Sequence, residues 1–288
     1  MDKYLDSFRE MLSLRGLADH TLIGYCTYIR SYLDYLSNNL HKQPEDVSWQ
    51  ELRDYIFWLQ KERSLSDRTI NASISQLRFF TIYVLHKPWE PTQLPMRRFE
   101  TFLPFVPSRD EVLQYVNSIP DKKEKAMVVL LYSSGLRVGE VCSLRYEDID
   151  RKSMRIHIRH SKNRQDRYAI LSKQALDILT DYWFSCGRPM GWLFPSSRNT
   201  DKPYSPTSFS NKFVTYRKTL GWNERLTSHS FRHAFGTHLY ENGTDLLTIK
   251  TLLGHRSLES TTIYVHLASN SIHLAVSPFD QIGGNTYG

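Results

Sequence analysis

Cysteine is scarce in this 288-residue sequence. Only Cys26, Cys142 and Cys186 occur, an odd number with no CxxC pair, so neither a disulfide framework nor a structural zinc site is indicated. Long apolar stretches are missing as well. The longest runs from Ala126 to Tyr132, far short of the roughly 20 residues that a membrane span needs. The opening Met1-Asp2-Lys3-Tyr4-Leu5-Asp6 places acids where a secretory signal would carry a basic stretch and then an apolar one. Internal repeats and low-complexity tracts are absent, and no Asp/Glu cluster of the kind that holds paired metals accompanies the motifs below. These absences predict a reduced, cytoplasmic protein with no membrane partner and no metal or other cofactor.

What is present is an ordinary globular mixture, 40% hydrophobic and 23% charged, in a chain long enough for two domains. The net charge of +7 is unevenly spread. Residues 1–87 carry 11 Lys/Arg and 11 Asp/Glu, so the other 26 bases and 19 acids, and the entire excess, lie in residues 88–288. A basic excess on one part suits a polyanionic partner, although charge alone fits a merely soluble basic surface equally well.

Residues 1–87 read as four helices forming a compact bundle, the first from Asp2 to Leu14. Leu22, Tyr25, Ile29, Tyr32, Leu33 and Leu36 make one apolar stripe on the second. Ser48 and Ser66 are placed to cap the third and fourth. Five prolines between Lys87 and Pro107 (Pro88, Pro91, Pro95, Pro104, Pro107) then predict a stiff linker over 88–107. A capping box of Ser108 and Glu111 restarts helix near Asp110, opening a second domain over 108–288. Helices are expected at 126–133, 138–143, 173–184, 205–219, 230–242 and 246–253. The one convincing β region pairs Arg155-Ile156-His157-Ile158 with Arg167-Tyr168-Ala169-Ile170-Leu171 around a polar turn. The fold class is therefore mainly α with a small antiparallel sheet.

Four segments of the second domain carry polar residues for which a core has no use. Gly135-Leu136-Arg137-Val138-Gly139-Glu140 puts an arginine at a glycine-flanked turn. The β turn presents Ser161-Lys162-Asn163-Arg164. His229-Ser230-Phe231-Arg232-His233 opens a helix, where backbone N–H groups favour an anion. Leu253-Gly254-His255-Arg256 leads, nine residues beyond the histidine, to Tyr264. Singly, each has a plain explanation: Arg137 as an ion-pair partner of Glu140, Lys162 as a solvated turn lysine, an isolated His or Tyr as a packed residue. As a set they suit a phosphodiester. Arginine forks match nonbridging oxygens and histidines add donors, while a lysine can protonate a departing alkoxide and a tyrosine can attack phosphorus.

The order Arg137, Lys162, His229-x-x-Arg232, His255, Tyr264 resembles the tyrosine recombinase (lambda-integrase) family, which includes Xer and Cre. Gly135-Leu136-Arg137…Glu140 is similar to its first-arginine box, and Ser161-Lys162-Asn163-Arg164-Gln165-Asp166-Arg167 to its β-hairpin lysine segment. The run from Leu226 to Leu239 is similar to its second box, and Leu252-Leu253-Gly254-His255 to Ile263-Tyr264 keeps its nine-residue step. Leu17-Ala18-Asp19-His20-Thr21-Leu22 and Ser66-Asp67-Arg68-Thr69-Ile70-Asn71 are similar to helix starts of its core-DNA-binding domain. Two departures stand out: Ser161 where glycine is usual, and Pro278, which would break a long terminal helix.

The resemblance implies a C-shaped clamp on DNA, with a core-DNA-binding bundle and a catalytic domain. It implies a site-specific recombinase that cleaves and rejoins strands through a 3′-phosphotyrosine. Tyr264 attacks, Arg137 and Arg232 hold the phosphate, His229 and His255 donate to it or move protons, and Lys162 protonates the leaving 5′ oxygen. Glu140 and His233 stand behind them. Arg159 and Arg164, in a basic run from Arg151 to Arg167, are expected to face the DNA backbone, and Asn71, Ser75 and Arg78 a groove. Implied partners are duplex DNA with inverted-repeat core sites and further copies of the chain, as a tetramer on paired sites. The first helix begins almost at Met1, which favours a simple Xer-like recombinase over one with a separate arm-site domain. Competing readings are a type IB topoisomerase, a helix-turn-helix repressor, and a catalytically dead relative acting as a DNA-binding accessory.

Overall fold

A computed structural model of the chain describes residues 2–100, 102–159 and 166–268. It divides into two compact units, Met1–Phe102 and Leu103–Gly288.

The first unit is built on α1 (Asp2–Leu14), α2 (Asp19–Tyr35), α3 (Trp49–Lys61) and α4 (Asp67–Tyr83). Ser48 accepts from the Glu51 N–H while the Glu51 carboxylate accepts from the Ser48 N–H, a full capping box. Ser66 caps α4 through the Thr69 N–H. Phe8, Ile29, Leu36, Tyr55, Ile70 and Phe80 meet in a dry, aromatic-rich core. The segment expected to be a linker is in its first part a piece of this unit. Leu94 is buried in the same core, Trp89 packs against it, and Arg97 pairs with Asp67 at 2.6 Å.

The second unit opens with α5 (Arg109–Ser118), started by the Ser108/Glu111 capping box. At its centre is α6 (Lys122–Ser133), capped by Asp121 one turn earlier than its apolar residues indicate. From Ala126 to Leu131 every side chain of α6 is buried, as a helix apolar all round must be. Covering it are α8 (Lys173–Ser185) on one side and α10 (Ser228–Glu241) on another. Between α6 and α8 in the chain come the short α7 (Val138–Cys142) and a three-stranded antiparallel sheet: β1 (Ile149–Asp150), β2 (Arg155–Ile158) and β3 (Arg167–Ile170), in that order. Ile156 pairs with Ala169 and Ile158 with Arg167. Ile156, Ile158 and Ala169 point into the core while Tyr168 and Ile170 face out. Beyond α9 (Pro206–Thr219), α10 is followed by α11 (Leu246–Leu253) and α12 (Glu259–Leu267). β1 and α12 are additions to the sequence expectation. Among the described residues no helix is long and apolar enough to cross a membrane.

Candidate active site

The site begins at a turn that only glycine can make. Gly135 has φ +62, and a Cβ there would lie 2.4 Å from the Phe235 ring on α10. The turn delivers Arg137 to the N-terminus of α7 and Glu140 one turn into it. The Arg137 N–H donates to Glu140 Oε2 at 2.8 Å and its guanidinium to Oε1 at 2.7 Å. The same carboxylate receives a fork from β3, with Arg167 donating to Oε1 at 2.9 Å and to Oε2 at 2.8 Å. Burial alone would raise the Glu140 pKa. The Arg167 fork and Arg137 outweigh it and hold the carboxyl at about 2, ionised at any working pH.

Arg232 enters from α10, 4% exposed. Its guanidinium donates to the Gly135 carbonyl and, at 2.6 Å, to the Leu253 carbonyl at the end of α11. It therefore ties the Arg137 turn to the His255 turn. Burial and the neighbouring Arg137 lower its pKa to about 9, still protonated at neutral pH. One turn apart on the same helix lie His229, which is exposed, and His233, whose ring is 6.2 Å from that of His229 and 6.1 Å from that of Tyr264.

α11 ends at Gly254 in the left-handed conformation, and His255 follows. The His255 Nδ1 is 3.0 Å from the hydroxyl of the fully buried Thr261, which leaves Nε2 for a substrate. Its ring stacks beside that of Tyr264, centroids 6.3 Å apart. Tyr264 is 1% exposed and lies over Gly236 on α10, where a Cβ would sit 2.5 Å from its Cζ. A glycine in mid-helix costs about 1 kcal/mol against alanine, so its place here is explained by the ring it admits. Burial pushes the Tyr264 phenol up to about 12, while Arg232 and Arg137 pull it down. Three guanidiniums, those of Arg137, Arg167 and Arg232, are thus gathered round one ionised carboxylate, with the His255 imidazole and the Tyr264 phenol within electrostatic reach of Arg137 and Arg232, an arrangement able to hold a phosphate and attack it.

The expected residues do not all meet. Arg137, Glu140, Arg232, His233, His255 and Tyr264 come together, with the exposed His229 one turn before His233. Lys162 and Arg164, with Ser161, lie outside the described residues, as does Pro278. Arg159 does not stand open to solvent as a lone cation, because its guanidinium binds the buried Asp148 at 2.7 Å and Glu147 at 3.1 Å. The Asn71 amide is engaged at both ends by the Arg97 backbone, donating to its carbonyl at 2.9 Å and accepting from its N–H at 2.8 Å. Ser75 donates to the Asn71 carbonyl, and Arg78 is exposed. The residue that sequence reasoning missed is Arg167. Its signal was its parity: it shares a strand face with the inward Ala169.

Two half-buried imidazoles of the site predict acid lability. Burial, with His229 beside one and Arg232 beside the other, lowers both His233 and His255 from 6.5 to about 4. Between those values the unfolded chain binds more protons than the folded one, so stability falls as pH falls through that window. Urea midpoints measured from pH 7 to pH 4 should drop, the buried His238 adding to the effect in the same direction, and His255→Asn should remove part of the drop. A wild-type midpoint that stays flat would contradict the neutral state of these rings.

The chain is similar to known integrases and recombinases in sequence and in fold. Residues 108–271 match the profile described as phage integrase family, and residues 4–91 that of a phage integrase N-terminal SAM-like domain. A putative integrase/recombinase of Sinorhizobium fredii is 33% identical, over 95% of this chain and 87% of its own. A tyrosine recombinase of Pseudothermotoga lettingae is 30% identical, over 98% of this chain and 100% of its own. Among solved structures, a lambda integrase dimer bound to a core site superposes with a TM-score of 0.72 at 20% identity, over 92% of this chain and 94% of that one. The XerA recombinase crystal structure gives 0.54 at 23%, over 99% of each. At these identities the structural likeness concerns the fold.

Proposed function

Because the chain belongs to the phage integrase family of tyrosine recombinases, we propose that it cleaves and rejoins DNA at specific sites, with Tyr264 as the nucleophile. The observation that carries this reading is the joining of three separate stretches of sequence, with Arg137 on Glu140, Arg232 on the Gly135 and Leu253 carbonyls, and Tyr264 beside His255.

In the proposed reaction the Tyr264 phenol gives up its proton to a neighbouring histidine, His229 or His255, and its oxygen attacks the scissile phosphorus, forming the P–O(Tyr) bond of a 3′-phosphotyrosine as the bond to the 5′ oxygen breaks. Lys162 gives that oxygen its proton. Arg137 and Arg232 stabilise charge on the nonbridging oxygens, where fixed donors act most strongly. His255 offers Nε2 to the same phosphate, and His229 donates or relays a proton. The phosphotyrosine keeps the energy of the phosphodiester, so the return attack by a 5′ hydroxyl rejoins strands without a nucleotide. Arg164 and Arg159 would lie against the DNA backbone, and Asn71, Ser75 and Arg78 would face a groove, Arg78 being the most exposed of the three. The partners are duplex DNA with inverted-repeat core sites and, on paired sites, three more copies of the chain in a cytoplasmic tetramer.

The test is to map covalent protein–DNA junctions across the chain's own genomic neighbourhood, in EDTA and without nucleotide. A 3′-linked adduct at one or two inverted-repeat sites is expected. Specific DNA binding with no adduct at any site, or adduct formation strictly dependent on Mg²⁺, would overturn the reading.

A further inference from the structure

Arg167 occupies an unusual place for a charge. It sits on the inward face of β3 with its side chain 8% exposed, against a Glu140 side chain 7% exposed. A buried pair of this kind often stabilises a fold less than an apolar pair of the same volume would, so its value must be sought elsewhere. Its contacts reach three parts of the site. The fork takes both Glu140 oxygens on α7, and Nε donates to the Leu252 carbonyl on α11 at 3.0 Å. Its stem fills the space at Gly254, where a Cβ would lie 2.8 Å from the Arg167 Cδ, one residue before His255. Along the sequence it closes the β segment that contains Lys162.

The count of donors on Glu140 gives this arrangement a consequence. A carboxylate has about four lone-pair positions. Here the Arg137 N–H, the Arg137 guanidinium and the two arms of Arg167 supply four donors. Arg232 is left at 3.9 Å, beyond hydrogen-bond reach. If Arg167 were removed, two acceptor positions would open beside the two guanidiniums nearest to them, those of Arg137 and Arg232. Arg232 would be drawn in from 3.9 Å, and Arg137, already bound through one arm at 2.7 Å, would turn a second toward the carboxylate and away from a phosphate.

We propose that Arg167 is a positioning residue for strand cleavage: by saturating Glu140 it keeps Arg137 and Arg232 available to the scissile phosphate, and it locks the His255 turn to the β-hairpin. This rests on the recombinase reading above. Arg167 need not touch DNA, so its loss should spare binding.

The experiment compares wild type, Arg167→Ala and Arg167→Lys for binding and single-turnover adduct formation on a nicked duplex carrying the mapped site. A second duplex replaces one nonbridging oxygen of the scissile phosphate by methyl, which removes the charge that the arginines must hold. Arg167→Ala should bind within about threefold of wild type and cleave the phosphodiester about 100-fold more slowly, the scale of a small misplacement of catalytic groups. On the methyl-substituted duplex that deficit should shrink about tenfold, because the arginines then matter less. Arg167→Lys keeps the stem and the charge but has no fork, so it should show the same pattern, and it serves if the alanine variant does not fold.

Cleavage by either folded variant at the wild-type rate overturns the proposal. So does an equal deficit on both duplexes, which would mean a folding role only. If wild type binds the site and makes no adduct, the recombinase reading itself has failed and this inference falls with it. A wild-type adduct beside an unaffected variant rejects Arg167 alone.

Discussion

Tyr264→Phe should bind its DNA site as tightly as the wild type and form no covalent adduct. The substitution removes one oxygen from a ring whose packing is otherwise unchanged: the face over Gly236 and the stack beside His255 both belong to the carbon skeleton. Stability should therefore move by less than about 1 kcal/mol, within the range of mild substitutions. Among the described residues of the second unit, four other tyrosine hydroxyls are already engaged. The Tyr115 hydroxyl is spent on the Phe213 carbonyl at 3.3 Å and that of Tyr182 on the Leu193 carbonyl at 3.1 Å. The Tyr132 hydroxyl meets His238 at 3.0 Å, and the Tyr216 hydroxyl donates to Glu124 at 2.7 Å. Nicked substrates that trap the adduct, run on denaturing gels, give the readout. A persisting adduct in Tyr264→Phe would move the nucleophile elsewhere, with Tyr287 the first position to examine.

How much of this was legible in the sequence depended on the range of the interaction involved. Helix starts set by a side chain three residues away, such as Ser48 with Glu51 or Ser108 with Glu111, are written in neighbouring residues and appear where expected. The first arginine, the HxxR helix start and the His255–Tyr264 step were legible for the same reason. α12 was not: its Thr261, Thr262, Ile263 and Val265 are β-branched, and Leu258 before it offers no side-chain cap. That helix forms because Tyr264 is received by Gly236 and Thr261 by His255, contacts invisible to local propensity. Arg167 escaped notice for a related reason. In a run of seven bases it reads as one more solvated charge, and only the fold brings Glu140 beneath it. The engagement of Asn71 was not legible either, since a polar residue on a helix gives no sign that the Arg97 backbone will return to meet it.

Arg232→Ala is expected to have the other large effect, on two separate observables. Its guanidinium holds the carbonyls of Gly135 and Leu253, the ends of the two turns that carry Arg137 and His255. Alanine leaves both oxygens without this donor in a buried place, at about 1–3 kcal/mol for each group that water does not reach. Relief of the repulsion between Arg232 and Arg137 offsets part of that. A net loss of about 2 kcal/mol in urea unfolding follows. Catalysis should suffer more. A phosphate in this site loses a fixed cation, and removal of one such donor costs about 10²–10³-fold. Arg232→Lys separates the two effects, because a lysine keeps the charge but cannot serve two carbonyls and a phosphate with a planar fork. It should recover DNA binding and part of the stability while still cleaving about 100-fold more slowly than wild type. Single-turnover rates would be taken at a temperature where unfolding curves show all three proteins folded. Arg232→Ala cleaving within about tenfold of wild type would remove Arg232 from the phosphate and leave it a purely structural tie between two turns.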